Sequence, residues 1–173
     1  MKQIKLKYTF LMLALSLTTL LACTNNQKTT ETEAPVAGEM SDEASVASGD
    51  TVEITLNSND MMKFDKAEII VTAGQTVVLT LNHTGTQPLT AMGHNFVLLT
   101  QGTVMADFAM AAMAAKDNNY IPTDDSNVIA HTKVIGGGES DTITFTAPEK
   151  GTYDFLCSFP GHYSIMNGKF IVQ

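Results

Sequence analysis

The stretch GTYDFLCSFPGHYSIMNGKFIVQ, Gly151–Gln173, decides how the rest of the chain reads. Successive side chains of a strand point to opposite faces, so Tyr153, Phe155 and Cys157 share one face and Asp154 lies on the other. Beyond a Pro160-Gly161 turn, Met166, Phe170 and Val172 again share a parity. Two half-buried strands joined by a loop follow from this pattern. The thiol of Cys157 emerges from the inward face at a strand end. An imidazole, His162, and a thioether, Met166, lie in the same loop.

Working outward, TVEITLN, TVVLTLNH, NFVLLT and SDTITFTA have the same character. They are short, β-branched or aromatic, and mostly bounded by Gly, Asn, Pro or Asp. Repeated strands with turn signals predict an all-β chain folded as a two-sheet antiparallel β-sandwich. In TVVLTLNH, Val77, Leu79, Leu81 and His83 are co-facial, which turns His83 inward. One stretch breaks the rhythm. VMADFAMAAMAAKDNNY is Ala- and Met-rich with apolar residues at helical spacing, so a helix is expected over Val104–Lys116, inserted between strands. Methionines on such a helix invite a copper-binding reading. Packing is far commoner, so Met105, Met110 and Met113 are assigned to the core.

The N-terminal part reads differently. Lys2, Lys5 and Lys7 precede an apolar run from Phe10 to Ala22, too short for a convincing membrane span. It ends in Leu20-Leu21-Ala22-Cys23, which resembles the lipobox of bacterial lipoproteins, whose signal is cut before a cysteine that is then lipidated. Residues 1–22 are thus expected to be a signal peptide and Cys23 the lipid anchor. The acidic segment 24–50 has too little apolar surface to offset ordering entropy and reads as an extended tether. Residues 51–173 have the length of one domain. Removing the three signal lysines takes the net charge of −8 to about −11, which argues against nucleic acid as a partner. With Cys23 lipidated, the chain's other cysteine, Cys157, has no disulfide partner.

Cys157, His162 and Met166 are spaced C-x4-H-x3-M. A thiolate, an imidazole and a thioether suit copper cycling between Cu(I) and Cu(II), with a methionine as a long axial ligand. Zinc would recruit further cysteines, carboxylates or closely spaced histidines. A second imidazole is still needed, and His83, His94 and His131 are available. His94, in MGHN, precedes the strand NFVLLT and so sits at a strand end as Cys157 does. His131, in VIAHTKVI, reads more simply as a strand residue.

Almost all of 51–173 resembles the azurins, small electron carriers of the cupredoxin (type 1 blue copper) group. The resemblance is carried by NSNDMMKFD, LNHTGTQPLTAMGHNFVL, PTDDSNVIAHTKVIGGGESDTITF and CSFPGHYSIMNGKF. It implies a Greek-key cupredoxin-like sandwich and one copper ion. His94, His162 and Cys157 would be the equatorial ligands, Met166 the axial sulfur, and the Gly93 carbonyl the opposite axial oxygen. It further implies that the amides of Asn95 and Phe159 donate to the thiolate, that the Asn95 side chain ties the two ligand loops, and that Pro160 removes a competing amide. An apolar electron-transfer patch of Met62, Leu89, Ala91, Met92, Phe159, Pro160, Gly161 and Ile165 would surround His162. Two departures stand out. The disulfide usual in azurins is absent, and Phe96 replaces a frequent tryptophan. His83 would lie beside the metal without binding it, either titrating with oxidation state or held neutral by a backbone carbonyl.

The function implied is a membrane-tethered one-electron carrier of the bacterial envelope, periplasmic or on the outer surface. It would serve redox proteins such as c-type cytochromes or a terminal reductase or oxidase. The alternative is a copper storage, delivery or detoxification module, which would favour exposed, labile Met/His clusters over one closed site. No nucleophile, base and oxyanion-hole arrangement is visible, and the implied ligands fill every coordination position, so the expectation is a non-enzyme.

Overall fold

The computed structural model describes residues 50–173. The expected signal peptide, lipid-anchor cysteine and tether, up to residue 49, fall outside the described residues. The described strands are β1 (Thr51–Asn59), β2 (Lys63–Phe64), β3 (Glu68–Val71), β4 (Thr76–His83), β5 (Val97–Leu99), β6 (Val128–His131), β7 (Ser140–Thr146), β8 (Gly151–Leu156) and β9 (Asn167–Val172). Two helices interrupt them, α1 (Leu89–Met92) and α2 (Met105–Ala112).

The strands form two sheets, ordered β2-β1-β4-β7 and β3-β9-β8-β5-β6. This is the expected all-β sandwich with a short inserted helix. One detail differs. The sheets are mixed, because β1 runs parallel to β4 and β3 parallel to β9, while the other pairs are antiparallel. The cause is topological. After β2 the chain crosses to the opposite sheet to form β3, then returns and lays β4 beside β1 in the same direction.

Strand alternation decides what is buried. In β4, Val77, Leu79, Leu81 and His83 face inward, as their shared parity requires. The three apolar ones meet Leu56, Phe96, Leu98, Tyr153, Phe155, Phe170 and Val172 between the sheets. Each large apolar side chain removed from water there contributes about 1.5–3 kcal/mol. β5 is buried on both faces, which explains its continuous apolar run. Leu98 points into the sandwich, while Val97 and Leu99 join Leu156 under α2.

The helix α2 is shorter than its composition predicts. It ends at Ala112, and a 3-10 turn over Lys116–Asn118 follows. Asn119 and Tyr120 then take left-handed backbone angles (φ 53° and 56°), which turn the chain toward the Cys157 end of the sandwich. Local propensity favours continuing the helix, and tertiary contacts stop it. The assignment of the three methionines to the core is corrected for two of them. The small residues Ala109 and Ala112, with Phe108, form the buried face. Only Met105 packs against the second apolar cluster, while Met110 and Met113 are 65% and 51% exposed.

Candidate metal centre

β8 delivers Cys157 to the end of the sandwich, fully buried and free of any disulfide. Its loop turns at once. The amide of His162 donates to Phe159 O (3.1 Å), and the amides of Ile165 and Met166 donate to His162 O (3.1 and 2.9 Å). Cys157 N–H donates to Met166 O (2.9 Å), closing the loop on itself. Gly161, at φ 84°, supplies the positive angle that the Pro-Gly turn needs. The imidazole of His162 is thereby folded back, with Nδ1 3.6 Å from Cys157 Sγ.

The second imidazole comes from far away in sequence. His94 lies between α1 and β5, pinned by a two-way backbone bridge to Ile135 (3.0 and 2.8 Å). Its Nε2 meets Asn59 O at 2.9 Å, so Nε2 carries the proton and Nδ1 is left with a lone pair. That Nδ1 lies 3.9 Å from Cys157 Sγ. The two histidine nitrogens and the sulfur all fall within 4.8 Å of one another. Gly93 O is 3.9 Å from the same sulfur, and Met166 is fully buried. Space explains the glycine. A Cβ at position 93 would come within 2.7 Å of Leu89 O and Val134 Cγ1 and 2.8 Å of a Phe159 ring carbon.

The surroundings hold these groups by hydrogen bonds. The amides of Asn95 and Phe159 both donate to the Cys157 sulfur. Asn95 Oδ1 accepts from Ser158 N (2.8 Å), and its Nδ2 donates to Ser158 Oγ (2.8 Å) and Asn119 O (3.0 Å). Ser158 Oγ donates onward to Tyr120 O (2.9 Å). Asn95 therefore links the two donor loops with the turn that follows α2. His83 stacks on His94, with ring centroids 4.4 Å apart. Gly85 N–H donates to its Nδ1 (3.0 Å), so the proton sits on Nε2 and is donated to Met92 O (2.9 Å). Of the contacts expected for His83, the bond to a backbone carbonyl is present. His131 is exposed, bonds the neighbouring Thr132 O (3.0 Å), and stays apart from the cluster.

Burial sets the protonation chemistry. It pushes the Cys157 thiol up to about 12, against the downward pull of the Asn95 and Phe159 amides. It lowers His94 to about 4, aided by His83 and His162 and opposed by the bond to Asn59 and the charge of Asp60. Burial and His83 lower His162 as well. The metal-free protein therefore holds a protonated thiol facing two neutral imidazoles. A metal bound here would have to displace the thiol proton.

The residues of the implied patch are mostly at the surface. Leu89, Ala91, Pro160, Gly161 and Ile165 are exposed, and Met62, Met92 and Phe159 are half-buried. His162 is 4% exposed and packs against Phe159, with centroids 4.8 Å apart. Met61, at 66% exposure, presents more thioether surface than the Met62 singled out from the sequence. Sequence reading also missed Asn59, Asn119, Ser158 and Tyr120. Three of these act through backbone carbonyls, which leave no mark in the sequence. For Ser158 a signal existed, its position next to the thiol.

The donor set fits copper. It offers one soft sulfur, two neutral imidazole nitrogens, a buried thioether nearby and a backbone oxygen. The comparisons agree with this chemistry. The sequence model of "copper binding proteins, plastocyanin/azurin family" matches residues 50–173. Azurin-1 of Alcaligenes xylosoxydans xylosoxydans is 42% identical over 119 residues, which cover 66% of this chain and 92% of that protein. Outer membrane protein H.8 of Neisseria gonorrhoeae is 44% identical over 119 residues, again 66% of this chain but only 64% of that longer protein. Among solved structures, auracyanin A, a "blue" copper protein from Chloroflexus aurantiacus, superposes with a TM-score of 0.66 at 37% identity, covering 71% of this chain and 99% of its own. The described domain, its sulfur-imidazole cluster and these relatives converge, and the chain belongs to the plastocyanin/azurin family of copper-binding proteins.

Proposed function

We propose that this chain is a one-electron carrier tethered in the bacterial envelope, in which His94, Cys157 and His162 would hold copper, with the Met166 thioether and the Gly93 carbonyl as further, weaker donors. Bound copper supplies a Cu(I)/Cu(II) couple that takes up and gives back one electron. The observation that carries the reading is the closed donor cluster. Three donor atoms lie within 4.8 Å of one another on side chains that are almost entirely buried.

The chain's part is to hold these donors still and keep water away. His94 is fixed by Asn59 and Ile135, and Cys157 by Met166 O and two amides. Donors fixed this way have little freedom to rearrange when the charge at the centre changes, which is what a carrier needs. Held by these donors, a bound metal would keep no open coordination position for a substrate, which suits a carrier.

A docked partner would meet His162 through the apolar rim of Leu89, Ala91, Pro160 and Ile165. Such a small, apolar contact suits brief encounters with redox proteins, c-type cytochromes or a terminal reductase or oxidase. The lipobox-like Leu20-Leu21-Ala22-Cys23 and the outer-membrane name of the H.8 relative support an envelope location with a lipid anchor.

The test is optical and electrochemical. The Cu(II)-loaded protein should show an intense visible thiolate-to-copper band and cycle reversibly by one electron. A pale, irreversibly reduced adduct would refute the carrier reading and favour storage or delivery.

A further inference from the structure

Two thioethers on α2 serve neither the fold nor the donor cluster. The helix buries Phe108, Ala109 and Ala112, and those residues suffice to seat it. Met110 and Met113 face solvent at 65% and 51% exposure. Met113 keeps helical angles (φ −58°, ψ −31°) at the end of α2, so the two methionines stand at i and i+3 on one face. Side chains so spaced have Cβ atoms about 5–6 Å apart and can converge on a single ion.

The chemistry of that pair is selective. A thioether carries no proton to displace, bonds weakly to water, and favours soft metal ions such as Cu(I) over Ca(II) or Mg(II). We propose that Met110 and Met113 form a second, surface site that takes up Cu(I), separate from the buried cluster. Two neutral sulfurs with an open third position hold the ion weakly and let it exchange, as an uptake site requires. The buried cluster offers the opposite, a closed set in which the thiol proton must be displaced. The inference does not rest on the carrier reading, since a copper protein of any role must acquire its metal.

The experiment uses the intact copper-loaded protein, kept reduced and free of oxygen, with methyl-labelled methionines. Cu(I) is added against a coloured Cu(I) chelator while the methyl resonances are followed. A second equivalent should bind, and the methyls of Met110 and Met113 should shift together. Met61, exposed to 66% but off the helix, should not move and serves as the internal control. Exchanging both residues, Met110→Leu with Met113→Leu, keeps size and helix propensity and should abolish the second equivalent. The visible band of the buried centre should be unchanged. Failure of the parent protein to bind a second equivalent, an equal shift of Met61, or full binding by the double variant would each overturn the proposal.

Discussion

Asn95→Leu is the perturbation that most directly tests how the two donor loops are held. The side chain is fully buried and makes three hydrogen bonds, to Ser158 N, Ser158 Oγ and Asn119 O. Leucine fills a similar volume and makes none of them. Ser158 is itself buried, so its amide is left without a partner, at about 1–3 kcal/mol. The lost bond to Asn119 O adds about 1 kcal/mol, since Asn119 is only half-buried and water can replace the donor. The apolar gain of the leucine offsets about 1 kcal/mol. The net loss should be about 1–3 kcal/mol, a sizeable share of the roughly 5–15 kcal/mol typical of a domain. Denaturant unfolding of the metal-free variant and parent measures it. The copper-loaded variant should stay blue but release copper to a chelator faster, because the loops carrying His94 and Cys157 are no longer tied. Thr80→Val is the control. It also removes a hydrogen bond, to Thr142 Oγ1 (2.8 Å), but on an exposed sheet face, and should change stability by less than about 0.5 kcal/mol. A loss for Asn95→Leu no larger than the control's would refute the reasoning.

Cys157→Ser should bind copper weakly and be nearly colourless, since the band needs the thiolate; Met166→Leu should stay blue with a shifted potential. A blue serine variant would sink the ligand assignment. Ile165→Lys places a charge beside His162 at a position 58% exposed. It should leave the spectrum intact and slow self-exchange and partner transfer, and unchanged rates would mean that electrons use another face. Cys23→Ala should move the protein from the membrane to the soluble fraction, whereas an unchanged distribution would rule out this anchor. The metal-free protein should lose stability in acid. His94 is lowered from 6.5 to about 4, so the unfolded chain binds its proton first. Stability is therefore full above about pH 6.5 and falls by about 3 kcal/mol by pH 4. The lowered His162 acts in the same direction. Denaturant unfolding across that range checks it, and a flat profile would contradict the buried neutral imidazoles.

The legible parts of this molecule are those written locally. The alternation of Tyr153, Phe155 and Cys157 gives the strand and its buried face, and the C-x4-H-x3-M loop gives three donors within ten residues. His94 stands 63 positions before Cys157, and residue pattern alone left it one of three candidates until the azurin resemblance singled it out. The parallel pairing of β1 with β4 was not legible, because strand direction depends on which sheet the chain crosses to between them. The helix misled for a physical reason. Methionine looks like the better core residue, yet alanine lets α2 approach the sheet more closely, and so the alanines took the buried face. Asn59, Asn119 and Tyr120 contribute carbonyls, which every residue type possesses.

The same hydrogen bonds explain why the centre can exist before its metal arrives. Each imidazole near the sulfur has a constrained orientation. His94 spends Nε2 on Asn59, His162 is wedged against Phe159, and His83 uses both nitrogens on backbone groups while stacking on His94. Consequently only Nδ1 of His94 and Nδ1 of His162 point at Cys157, and the lowered proton affinity of both rings keeps their lone pairs free near neutral pH. The chain thus meets the ordering cost during folding, with apolar burial between the sheets to offset it. Little rearrangement remains for binding. The thiol proton is the main thing the metal must displace, and burial, which holds that proton in place, also keeps water out of the site afterwards.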